Sequence, residues 1–97
     1  MTYDEKKSVI LNDPHAFLVF FKVKNPVYHN SNIFFRDIQY NILYYFIQKE
    51  IKATYKETEK IANELVKKLE SEGKLKQISD NAWLLIYPEF TTTAKSA

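Results

Sequence analysis

The chain has a single glycine, Gly73, in 97 residues, and the segments on either side of it constrain the fold more than any other feature. Before it, Tyr55 to Glu72 carries apolar residues at three- and four-residue spacings. After it come two short apolar runs separated by Asp80-Asn81. Glycine is the residue type that most readily takes the left-handed conformation ending a helix. The pattern therefore predicts an amphipathic helix over Tyr55 to Glu72, closed by Gly73 and running directly into a β-hairpin. The hairpin's strands are expected over Lys74 to Ser79 and Ala82 to Tyr87, with Asp80-Asn81 taking the positive φ angles of a tight turn. A lone glycine also excludes the glycine-rich phosphate loops of P-loop and dinucleotide type, which need several residues without Cβ.

The rest of the chain reads as helices. Thr54 and Glu57 have capping-box spacing, and the helix they open buries Ile61, Ala62, Leu65, Val66 and Leu69 while Lys56, Lys60, Asn63 and Lys67 project from the other face. Glu64 and Lys68 are spaced as a supportive ion pair. Thr2 and Glu5 repeat the capping spacing and predict a short helix over Tyr3 to Leu11, docked by Val9, Ile10 and Leu11. Asp13-Pro14 starts a second helix reaching Val23, although the apolar run also suits a buried strand over Phe17 to Val23. Asn25-Pro26 stops that element, and residues 25–32 form a connection. Ile33 to Ile51 is the longest helical pattern. Phe34, Ile38, Ile42, Tyr45 and Phe46 share one face, Leu43, Tyr44 and Ile47 widen it, and only Asp37, Asn41 and Gln48 make a polar stripe. A helix this apolar either centres the core or meets a partner chain, with Tyr40, Tyr44 and Ile47 the expected dimer contacts.

Composition bounds the function. With 45% hydrophobic and 27% charged residues the chain is globular. One domain over residues 1–90 is expected, with 91–97 a mobile tail because it holds nothing apolar beyond alanine. The fold class is mainly α with a C-terminal β-hairpin. The absence of cysteine removes disulfide scaffolds, thiolate metal sites and cysteine nucleophiles. His15 and His29 have no companion ligands, Ser8, Ser31, Ser71 and Ser79 have no triad context, and the acids are scattered among lysines. Neither an enzyme nor a metal or other cofactor is expected. No apolar run approaches the about 20 residues of a membrane span. Asp4 and Glu5 stand where a secretory signal would be basic, so a cytoplasmic protein is predicted.

The run Leu65-Val66-Lys67-Lys68-Leu69-Glu70-Ser71-Glu72-Gly73-Lys74-Leu75, followed by a hairpin containing Trp83, resembles the winged helix-turn-helix family of α+β folds over about Phe34 to Pro88. Its small size and richness in Lys, Tyr, Ile and Asn resemble regulators encoded by archaeal viruses and plasmids. The resemblance implies a homodimeric transcriptional regulator that binds double-stranded DNA, with the recognition helix over 55–72 and the wing over 74–87. Lys52, Lys56, Lys60, Lys67, Lys74 and Lys76 would then contact DNA, with Asn63 placed to read adenine. In the family the helix before the recognition helix is about two turns. Here Ile33 to Ile51 is twice that, so either it is elongated, or it is the family's first helix and the second is compressed into Lys52 to Lys56.

Other features weigh against DNA. The charges over 55–72 equally suit any solvated surface helix. The only arginine, Arg36, lies outside that helix, and Glu59 and Glu64 repel phosphate, so binding should be modest and salt-dependent. Tyr40, Tyr44, Tyr45 and Phe46 could form a base-stacking platform or serve as core and dimer contacts. The order of elements also resembles the protein-binding winged-helix domains of the ESCRT membrane-remodelling machinery. Asn25-Pro26-Val27-Tyr28-His29-Asn30 is similar to a linker in one such subunit.

Overall fold

Where the sequence offers a cap, a helix begins. In the computed structural model, which describes residues 1–90, Thr2 caps α1 (Tyr3–Leu11), Asp13 caps α2 (Pro14–Lys24) and Thr54 caps α4 (Tyr55–Ser71). Both threonine caps are reciprocal: Thr54 Oγ1 accepts from Glu57 N at 3.1 Å while Thr54 N donates to Glu57 Oε1 at 2.9 Å. Residues 14–24 are helix, as Asp13-Pro14 indicated, and not a buried strand. At the other end of α4, Gly73 has φ +75°. Lys74 N donates to Leu69 O at 2.8 Å and Gly73 N to Glu70 O at 3.0 Å, the paired bonds of a Schellman cap.

The segment before α4 departs from expectation at both ends. Ile33 and Phe34 do not open the long helix; they belong to a strand, β1 (Asn32–Phe34), and α3 spans Phe35–Gln48. β1 pairs antiparallel with β3 (Ala82–Leu85), which pairs on its other edge with β2 (Leu75–Ser79), giving a three-stranded antiparallel sheet in the order β1-β3-β2. Ile33 lies opposite Trp83, and both are buried. β3 would otherwise leave an unpaired edge, and a buried Ile33 on the sheet's inner face outweighs one more helical turn. Phe34, expected on the buried face, consequently points to solvent and is 48% exposed. α3 ends early because Glu50 adopts φ +59°, with Ile51 N donating to Phe46 O at 2.8 Å. This is a second left-handed cap, made without glycine, and it leaves Lys52 to Thr54 as a connector with no compressed helix.

The hairpin strands are shorter than predicted, and Asp80-Asn81 turn without positive φ. Instead the pairing slips between Gln77 and Ser79, a bulge that supplies the extra twist. A one-turn 3₁₀ segment, Pro88–Phe90, closes the described chain; the tail expected over 91–97 lies outside the described residues. The architecture is α+β, mainly helical with a small antiparallel sheet.

One cluster of apolar side chains joins all of these elements, with Phe17, Phe21, Ile42, Phe46, Ile61 and Leu65 almost wholly buried. Tyr45 meets Phe17 and Phe20 edge-on at 5.7 and 5.2 Å between centroids, so Tyr45 and Phe46 are core residues and only Tyr40 and Tyr44 of that aromatic run are exposed. Asn41, expected on a polar stripe, is buried: Nδ2 donates to Asp37 O at 2.7 Å and Oδ1 has no partner. Gln39, also buried, ties α3 to α4 by donating to Tyr55 O at 3.3 Å.

Candidate nucleic-acid interface

The face of α4 turned away from the core holds Lys56, Lys60, Asn63 and Lys67 at helical spacing, all exposed, with Glu59 among them. Five glutamates lie within or at the end of this helix, and four of them are engaged. Glu57 takes Lys6 Nζ at 3.0 Å, and Glu64 takes Lys7 Nζ at 3.4 Å and the Tyr3 hydroxyl at 2.9 Å. Glu70 accepts from Trp83 Nε1 at 2.9 Å, and Glu72 is shared by Lys68 at 3.2 Å and Lys74 at 3.4 Å. Of these five only Glu59 has no side-chain partner among the described residues. By contrast Lys56, Lys60 and Lys67 face no carboxylate within ion-pair distance among those residues. The predicted Glu64–Lys68 pair is not formed, because α1 captures Glu64 and the end of the helix captures Lys68.

These partnerships set the local electrostatics. Glu57 is held below the ordinary carboxylate range, first by the Thr54 backbone N–H and then by Lys6. Glu72 is lowered by Lys68 above all, then by Lys74. The Tyr3 hydroxyl is pushed up to about 12, chiefly by burial and next by its hydrogen bond to Glu64. Lys60 Nζ lies 4.8 Å from the Tyr3 ring centroid, so it leans to the α1 edge of the stripe while keeping its charge exposed.

The other nominated residues divide. Lys76 is exposed on β2, opposite Leu84. Lys74 is tied to Glu72 and lies 5.8 Å from the Tyr87 ring. Asn63 bends back on its own helix, Nδ2 to Glu59 O at 3.2 Å, and must release that bond to read a base edge. Lys52 borders a depression with Met1, Lys6, Glu50 and Ile51 at the foot of α4, apart from the main stripe. Tyr40, Tyr44 and Ile47 are exposed on the outer face of α3.

Tyr3, Lys6 and Lys7 are the residues that sequence reasoning missed. Their partners lie 51 to 61 positions away, and no local pattern marks them. The two histidines instead converge on Tyr87: His29 Nδ1 accepts from Tyr87 N at 3.0 Å, and His15 Nδ1 pairs with the Tyr87 hydroxyl. They fasten the loop after α2, and the start of α2, to the residues after β3. Burial, then Glu89 and Asp13, raises the Tyr87 hydroxyl's pKa. No group of three or more His, Asp and Glu among the described residues is placed to hold a metal ion, and no helix among them is long and apolar enough to cross a membrane. Comparison with protein-family models, curated proteins and solved structures found no match for this chain.

Proposed function

We propose that the chain is a small winged-helix protein that binds double-stranded DNA and regulates transcription, with α4 entering the major groove and the β2–β3 hairpin lying along the backbone. The observation that carries this reading is the division of charge on α4. Four of its five carboxylates are occupied by partners within the fold, whereas Lys56, Lys60 and Lys67 present exposed cations on the face turned away from the core. Lysines act as phosphate contacts more than as base readers, so affinity is modest and falls steeply with salt. The order helix, strand, helix, helix, hairpin, with β1 completing the sheet on β3, supports the winged-helix assignment. A gel shift on random-sequence duplex DNA at low and moderate salt tests the reading, and no retardation at low salt overturns it.

A second reading has one specific observation in its favour. Phe34 and Ile78 are 48% and 50% exposed near the turn of the hairpin, an apolar surface suited to a protein-binding module of ESCRT-like type. Retained DNA binding in Phe34→Ser/Ile78→Ser, with the fold intact by circular dichroism, separates the two.

A further inference from the structure

Of the five carboxylates within or at the end of α4, the fold leaves one bare. Glu59 is exposed on the outward side of the helix, and among the described residues its carboxylate has neither a cation within ion-pair distance nor a hydrogen-bond donor. Its neighbours on that side are Lys56, three positions before it, and Asn63, four positions after it, each one helical turn away. Lys56 is spaced to pair with Glu59 and does not, so acid and cation stand side by side with both charges open. Asn63 meets Glu59 only at the backbone, where its Nδ2 donates to Glu59 O at 3.2 Å, and the carboxylate itself stays free. A free carboxylate in this place weakens the attraction for any phosphate backbone. What it adds, and no lysine can, is a hydrogen-bond acceptor.

Resting on the reading of α4 as the helix that enters the major groove, we propose that Glu59 determines base specificity: its carboxylate accepts from the N4 amino group of a cytosine and so selects a C·G pair at one position. The chemistry of the base edges makes the choice. Two bases present an amino donor in the major groove, cytosine through N4 and adenine through N6, whereas guanine and thymine offer acceptors and, in thymine, a methyl group. Adenine sets the N7 lone pair beside its amino group, and that lone pair repels a carboxylate. Cytosine has no acceptor of its own on that edge. The guanine across the pair offers O6 and N7, which take an ammonium group, and Lys56 stands open beside Glu59 to supply one. Where the C·G pair is missing, the carboxylate loses its donor and remains an unpaired anion among phosphates. Discrimination then comes from a penalty on wrong sites as much as from a gain on the right one.

Selection by the full chain from a random duplex pool at low salt, with sequencing of the bound fraction, reads the outcome. The wild-type chain should enrich C·G at one position about ten-fold, the discrimination of a single good base contact. Glu59→Gln should lose that enrichment and bind the unselected pool about three-fold more tightly, because an anion is gone from among the phosphates. Glu59→Asp keeps the charge and shortens the reach, so it should lose the enrichment without gaining affinity, which a purely electrostatic effect would not do. Glu89→Gln, the same change of net charge on the segment after β3, should keep the enrichment. Far-UV circular dichroism checks that each variant is folded. Retention of duplex with no cytosine preference, or with one that Glu59→Gln leaves intact, overturns this inference and leaves the proposed function standing. No retention of any duplex at low salt overturns both.

Discussion

Replacing Lys6 and Lys7 by glutamine uncovers two carboxylates on α4 without altering a residue of α4. In the native chain Lys6 holds Glu57 at 3.0 Å and Lys7 holds Glu64 at 3.4 Å, leaving Lys56, Lys60 and Lys67 set against Glu59 alone. Lys6→Gln/Lys7→Gln converts that excess of two cations into a balance of three against three. Each lysine–phosphate contact contributes about 0.9 to the slope of log affinity against log salt, so a fourfold change in salt is worth about 3.5-fold per contact. Cancelling two contacts should reduce the slope by about 1.8 and lower affinity about ten-fold at low salt. Fluorescence anisotropy on a labelled duplex across a salt series measures both. Adding Glu57→Gln/Glu64→Gln should recover the affinity, since glutamine still serves the capping box at position 57. Adding Asp4→Asn/Glu89→Gln, which restores the same net charge away from α4, should not. Equal recovery by both pairs would reduce the effect to net charge, and undiminished binding by Lys6→Gln/Lys7→Gln would refute the shielding role of α1.

Four further outcomes concern stability. Gly73→Ala places a methyl where no atom lies within 4 Å, so its cost is the left-handed backbone alone, about 1 kcal/mol, read as a fall of about 4–8 °C in thermal midpoint. Asn41→Leu removes a buried acceptor that has no donor and should raise stability by about 1 kcal/mol in urea melts. Alkali should destabilise the chain through Tyr3. The fold favours the neutral phenol up to about 12, whereas an unfolded phenol ionises near about 10. Stability is therefore full below the unfolded value and is lost as pH rises between the two, less so in Tyr3→Phe. In acid the sign reverses. Glu5, Glu57 and Glu72 are all lowered, so their contribution is present above the ordinary carboxylate range and fades as pH falls through it.

The helix starts were legible because a cap is a local device. Thr2-Glu5, Asp13-Pro14 and Thr54-Glu57 each carry their hydrogen-bonding partner within three residues, and Gly73 carries its conformational freedom in itself. β1 was not legible. Asn32-Ile33-Phe34 continues the apolar period of α3, and what makes it a strand is the open edge of β3, about fifty residues further along the chain. Glu50 is hidden for the opposite reason: a glutamate gives no sign that it will take φ +59°, so the helical pattern runs three residues past the end of α3 at Gln48. The hairpin turn was right in position but wrong in geometry, because a bulge at Ile78 does the work assigned to positive φ.

The charge of the α4 face is the property that sequence reading could least supply. Counted along residues 52–76, seven lysines meet five glutamates, which reads as a nearly neutral surface helix. That count treats every side chain as equally available. Tertiary structure distributes them unequally: α1 delivers Lys6, Lys7 and the Tyr3 hydroxyl to two of the acids, and β3 delivers the Trp83 N–H to a third. A carboxylate already paired at 3.0–3.4 Å repels a nearby anion far less than a free one, since the pair presents a dipole instead of a charge. For the proposed function the relevant quantity is the number of unpaired cations on the stripe, and it depends on a nine-residue helix at the far end of the chain. That helix is anchored by buried Ile10 and by Tyr3, Val9 and Leu11 packed against the core, and its ion pairs to Glu57 and Glu64 add to that apolar contact. On the proposed function, salt should weaken binding by screening Lys56, Lys60 and Lys67 from phosphate.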